Sequence, residues 1–173
     1  MKVLLLMAAM VFTLSANAQK ILQGSKPSLK GETKINLKLD LSDTRIENKS
    51  IPDWLEYRQT EQPDYNAKDE LEKELKPEMQ EKIVKELNDK LGKKGAFVTT
   101  TGSAKYTLLV CPISIKKNGK NTNECSILDE NGNVLVKFMA SGSGGTFGSM
   151  ANLIGDGYEN SGSKMASFVA KCF

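Results

Sequence analysis

The chain has 173 residues, 24 Lys and Arg against 21 Asp and Glu, and no histidine. That length suits one compact domain with an ordinary core, while near-neutral charge and scarce aromatics argue against nucleic acid as the main partner. Without histidine, Ser-His-Asp and Cys-His nucleophilic sets are excluded, and zinc would have only Cys and carboxylates to bind.

At the N-terminus Lys2 precedes the apolar run VLLLMAAMVF and the small-residue pattern Ala16-Asn17-Ala18. A basic start, a short apolar core and an A-x-A site make a secretory signal peptide over residues 1–18, with cleavage between Ala18 and Gln19. The core is shorter than the ~20 residues that span a bilayer, and no cysteine follows the cleavage site. The expected product is a single domain over residues 19–173, periplasmic or secreted, with no membrane anchor.

The first element of that domain is TKINLKLDL, where Ile35, Leu37, Leu39 and Leu41 alternate with polar residues. Period two predicts a half-buried strand. Residues 43–65, with Pro52, Pro63 and the sole tryptophan, read as an irregular surface excursion. Trp54 and Tyr57 either pin it to the core or offer a contact surface; with Phe147 they are the candidate docking residues.

From residue 66 to 91 the period changes. Leu71, Leu75, Met79, Ile83, Leu87 and Leu91 recur every four residues, which predicts an amphipathic helix with Glu-to-Lys pairs on its wet face. Pro77 should start a new helix or kink a continuous one, and Gly92 and Gly95 end the segment.

A strand meander follows: AFVTT, KYTLLVCPISIKK, NECSILD and NVLVKFMAS. The second is apolar on both alternating sets, so it is expected to be central and covered on both faces. Asn118-Gly119 and Asn131-Gly132 are tight-turn signals, and Pro112 marks a bulge or a change of pairing partner.

A two-residue turn at Asn118-Gly119 would set Cys111 opposite Ser126 and Cys125 opposite Pro112, on opposite faces. A loop of odd length would restore one face, and either thiol could instead reach Cys172. The reading adopted is three free, small, buried residues. A second amphipathic helix, with Tyr158, Met165, Phe168, Val169 and Cys172 on one face, closes the chain. The fold class is therefore a single α/β domain, a mixed sheet of about five strands with two main amphipathic helices.

Between the last strand and helix lies GSGGTFGS, residues 142–149. A phosphate loop would need a lysine after its last glycine, yet neither Lys nor Arg precedes Lys164 in this region beyond Lys137. A dinucleotide fingerprint would need glycine where Phe147 stands, and a second strand for which no chain remains. The loop therefore reads as a mobile or tightly packed connection, and no nucleotide or other cofactor is expected. The carboxylate pairs Asp129/Glu130 and Asp156/Glu159 read as solvated acids rather than a hydrolase pair. No metal site, catalytic residue or enzymatic activity is expected.

The segments KKGAFV, AKYTLLVCPISI and SILDENGNVLVKFMASGSGGTFGS, with the terminal helix, resemble a group of bacterial envelope domains. These are the amino-terminal domain of TolB, the curli-secretion lipoprotein and the penicillin-binding-protein activator lipoprotein. The resemblance covers about residues 66–173 and rests on hydrophobic pattern with Tyr106, Asp129 and Gly132. It implies a noncatalytic protein that docks to an envelope protein, although the anchoring cysteine of those lipoproteins is missing. The alternative expectation is a small-molecule or lipid carrier with a cavity between sheet and helices.

Overall fold

The computed structural model describes residues 19–173. The predicted signal peptide, including Ala18, lies outside the described residues.

The described chain forms one mixed eight-stranded sheet with helices on one face. Strand β1 (Ile21–Gly24) is an edge strand antiparallel to β8 (Val134–Gly142). From there the order runs through β7 (Asn121–Leu128) and β6 (Thr107–Ile115) to β2 (Lys34–Leu39) and β5 (Phe97–Thr99). The short β3 (Arg45–Ile46) and β4 (Lys49–Ser50) form a hairpin attached to the far end of β6. Three of the eight strands exceed the expected count; each is short, and period two has no meaning over two to four residues.

Only β6, β7 and β8 make the expected meander. β2 lies between β5 and β6, parallel to both, so residues 100–106 cross over β2. Asn36 and Lys34 hold that crossing, by bonds from the Gly102 N–H at 3.0 Å and to the Ser103 hydroxyl at 3.5 Å.

Both hairpin turns have three residues rather than two. Lys116 N–H donates to the Lys120 carbonyl, and Asp129 N–H to the Asn133 carbonyl, so Gly119 and Gly132 stand third, each with φ of 82°. The left-handed residue that ends such a loop explains the glycines. The loop at 117–119 alone would place Cys111 opposite Cys125. A bulge after Pro112 slips the pairing by one, so Val110 faces Cys125 and Cys111 faces Glu124. The turn and the bulge thus restore opposite faces, and all three cysteines are free, with Cys111 half-buried rather than buried. Thr44 stitches the bulge by donating its hydroxyl to the Pro112 carbonyl at 2.8 Å.

Residues 43–65 are not irregular. They hold β3, β4 and α1 (Ile51–Glu61), whose N-cap is Ser50 with Pro52 in the first turn. Its weakly amphipathic sequence hides it, because Trp54 supplies nearly all of its buried face. The Arg58 guanidinium grips the buried Glu70 carboxylate through Nε at 2.8 Å and Nη2 at 3.0 Å, fastening α1 to the next helix.

That next helix is continuous but changes gauge. A single turn α2 (Ala67–Asp69) leads into a π-helical turn (Glu70–Leu75) and then α3 (Lys76–Leu91). Lys76 N–H bonds the Leu71 carbonyl, five residues back. The widened turn lies just before Pro77, which then occupies the first turn of α3, where its missing donor is tolerated. A strict repeat of four runs ahead of 3.6 by about 40° per step, and a wide turn absorbs part of that drift. All six residues of the stripe are consequently buried.

The last helix, α4 (Met150–Val169), packs on α3 and on β7 and β8. Phe138 of β8 stacks on Phe168 with ring centroids 3.9 Å apart. Between helices and sheet the buried apolar side chains form one cluster.

Candidate functional site

Alternation along β6 separates two environments. Leu108, Val110, Pro112 and Ile115 are buried beneath the helices, whereas Leu109 and Cys111 are half-buried and Ile113 is 46% exposed. The same holds on β8, where Val136, Phe138 and Ala140 are buried but Leu135 and Met139 are not. The expectation that β6 is covered on both faces is therefore corrected. Among the described residues the helices lie on one face, and on the other the crossing at 100–106 bonds to β2 while Leu109, Cys111, Ile113 and Met139 stay partly exposed. Lys137 and Glu124 pair across the middle of this open face at 2.7 Å. The face thus mixes the apolar residues of β6 and β8 with a polar row on β7, made of Thr122, Glu124 and Ser126, and with Lys137 and Ser141. In the sequence, the two apolar sets of β6 were visible, but their having different neighbours was not.

The three candidate docking residues part company. Trp54 is fully buried, so its place on a docking surface is corrected to a core role; its indole N–H finds no partner among the described residues. Tyr57 is half-buried, lies beneath the Lys49 ammonium at 4.0 Å, and donates its hydroxyl to Glu61. That bond raises the Tyr57 pKa, with lesser help from desolvation. Phe147 alone stands out in solvent, 89% exposed. Gln19, at the predicted cleavage junction, donates its side-chain amide to the Lys164 carbonyl.

The glycine loop is a packing corner. A Cβ on Gly142 would lie 2.0 Å from the Gly157 carbonyl of α4, one on Gly157 would lie 2.0 Å from the Gly119 carbonyl, and one on Gly119 would lie 1.7 Å from the Leu153 carbonyl. Three backbone segments therefore meet without intervening side chains, the close approach that glycine permits. A buried polar chain seals the corner. Tyr158 donates to the Asn123 side-chain oxygen at 3.1 Å, and Asn123 donates to Asn121 at 2.7 Å and to the Ala140 carbonyl at 3.1 Å. Asn121 then donates to the Gly119 carbonyl at 3.0 Å. Burial pushes the Tyr158 phenol well above its ordinary pKa, so it remains the donor. The start of the loop, Gly142 to Gly145, is tightly packed, whereas residues 146–149 are exposed.

Beside the loop lies an open groove of about 480 Å³ lined by Glu86, Asp156, Glu159, Ser143 and Thr146 among others. A phosphate placed there would meet three carboxylates, the reverse of the cationic cradle that phosphate chemistry uses. Lys82 reaches Glu159 at 3.7 Å and Lys85 reaches Glu86 at 3.6 Å, so two of these acids are already partnered at the surface. Asp129, the acid of the envelope-domain pattern, serves its turn by accepting from the Asn131 and Asn133 N–H groups at 2.9 and 2.8 Å. Hydrogen bonds from Asn133, foremost its side chain, hold the Asp129 carboxyl below its ordinary range.

No family model matches the sequence, and no curated protein matches it. Among solved structures the chain is similar to a single-residue variant of the PelC dodecamer from Paraburkholderia phytofirmans, 14% identical with a TM-score of 0.44, over 84% of this chain and 98% of that one. It is similar as well to the PelC dodecamer from the same organism in a second crystal form, at 11% identity and a TM-score of 0.41, over 86% and 96% of the two chains.

Proposed function

We propose that this chain is an exported, noncatalytic protein of the cell envelope that docks to another protein through the open face of its sheet. The observation that carries this reading is the one-sided cover of β6 and β8, which leaves Leu109, Ile113, Leu135 and Met139 partly in water. Antiparallel sheets do leave one face to solvent, but they then alternate apolar with polar residues. Here the solvent side of β6 and β8 keeps Leu109, Ile113 and Met139 on either side of a polar row on β7, and partly exposed large apolar residues of this kind mark an interaction surface. Export is supported by the leader pattern over residues 1–18.

A photo-cross-linking residue at Ile113, introduced in the native envelope, is expected to give one discrete protein adduct. A Met139→Arg change on the same face is expected to remove that adduct while leaving the melting temperature within a few degrees. If Ile113 yields no adduct, or if the adduct survives Met139→Arg, the sheet face is not the docking surface.

A further inference from the structure

We propose that the end of the molecule built from residues 143–149 and the β6–β7 turn rests on an anionic lipid surface, with Phe147 as the inserted side chain. Phe147 is the most exposed large hydrophobic among the described residues. It is not on a loose tether. Ser143 N–H bonds the Asn160 side chain at 3.2 Å, Ser149 caps α4 by accepting from Asn152 N–H at 3.3 Å, and Gly144 lies so close to the Asn118 carbonyl that a Cβ would stand 1.7 Å from it. The backbone is therefore anchored on both sides of Phe147, whose ring stands in solvent.

The Asn118 contact joins this loop to the β6–β7 turn, where Lys116, Lys117 and Lys120 are all exposed. None of the three forms an ion pair among the described residues. The β3–β4 hairpin adds Arg45 and Lys49 at the same end, since Arg45 pairs in register with Ser114 and Lys116 donates to Asn48 at 2.8 Å. The acids here are Asp43 just before that hairpin, Glu47 within it, Asp53, which accepts the Ser50 hydroxyl at 2.6 Å, Glu61 close enough to Lys117 to feel its charge, and Asp156 beneath Gly145. Glu159 and Glu86 belong to the groove along the helices. At 1.5 Å per residue Glu159 stands about 15 Å up α4 from its start. The hairpin's cations are thus offset by its own acids, and the unpaired positive charge offered to an anionic plane is that of Lys116, Lys117 and Lys120, beside the loop that carries Phe147.

A bilayer fits this end better than an acidic protein does. A single exposed ring flanked in the chain by exposed Thr146, Gly148 and Ser149 lacks the sealed surround of a protein hot spot. An aromatic ring at the headgroup level needs no matching pocket, and nearby lysines add attraction to anionic lipid. The inference stands apart from the sheet-face reading, because protein-free vesicles test it.

The experiment is co-sedimentation of the protein, purified as its host processes it, with phosphatidylcholine vesicles containing or lacking phosphatidylglycerol. Binding is expected only with phosphatidylglycerol, weakening with added salt, by about fivefold for each lysine charge removed. Lys117→Gln/Lys120→Gln and Phe147→Ala should each reduce it, and both variants should melt as the parent does because the altered side chains are exposed. No sedimentation with phosphatidylglycerol overturns the proposal, as does equal binding to pure phosphatidylcholine. Unchanged binding by both variants overturns it too, and so does soluble polyglutamate competing fully at equal charge, which would assign the lysines to an acidic protein segment.

Discussion

Arg58 and Glu70 illustrate how one pair of side chains can fix an element whose sequence is otherwise unpersuasive. The Glu70 side chain is only 4% exposed and that of Arg58 14%, and two hydrogen bonds give a bidentate fit. Removing one partner of such a pair leaves a buried charge unmatched, with a loss of about 3–5 kcal/mol. Glu70→Ala is therefore expected to lower the urea midpoint substantially, whereas Glu72→Ala, one residue pair along the same helix and half-exposed, should cost under about 1 kcal/mol. Equal losses from the two variants would remove Arg58 and Glu70 as the fastening of α1. Trp54 carries a related lesson: the only tryptophan in a proline-flanked polar segment could either pin that segment or be displayed by it, and it is a plug.

The elements that could be read from sequence were those whose partners are local. The stripe from Leu71 to Leu91, the final helix and the strands β2, β6, β7 and β8 follow from period and turn residues, and they fall where expected within a few residues. What could not be read was set by distant neighbours: α1, whose one apolar anchor shows no period; β5 and β6 standing on opposite sides of β2; and the open face of β6. Glycines show the same division. Those at 119 and 132 are legible as turn residues, but Gly157 inside α4 looks like a flaw in a helix. The fold explains it, since a Cβ there would lie 2.0 Å from the Gly119 carbonyl. In an open helix, Gly→Ala gains about 1 kcal/mol from propensity. Here the sign should reverse: Gly157→Ala is expected to destabilise by about 1–3 kcal/mol, since backbone must move to admit the methyl. Gly92→Ala, with nothing within 4 Å and an ordinary helical φ, is the control. A Gly157→Ala variant as stable as the parent would mean that α4 does not need its close approach to the β6–β7 turn.

For the molecule as a whole, composition and burial combine into an expected pH profile. The chain has no histidine, so apart from the α-amino group no side chain of ordinary pKa changes charge between roughly pH 5 and 8. The core holds three groups that ionise only under alkali. Burial raises the Cys172 thiol from its ordinary 9.0 to about 11, raises the Cys125 thiol further, and holds the Tyr158 phenol well above 10.0. In each case the folded pKa exceeds the unfolded one. Stability from these groups is thus complete below the unfolded values and is lost as pH climbs toward the folded ones. The urea midpoint should stay flat to about pH 9 and then fall. Each group contributes a slope approaching 1.4 kcal/mol per pH unit while it is ionised only in the unfolded chain. Cys172→Ala and Cys125→Ala should each flatten the alkaline limb by one such group, although both will lower the plateau by opening space in the core. The steepness of the limb, rather than its height, is therefore the quantity that reports on the thiols. A limb equally steep in the double variant would mean that the thiols ionise alike in the folded and unfolded chain.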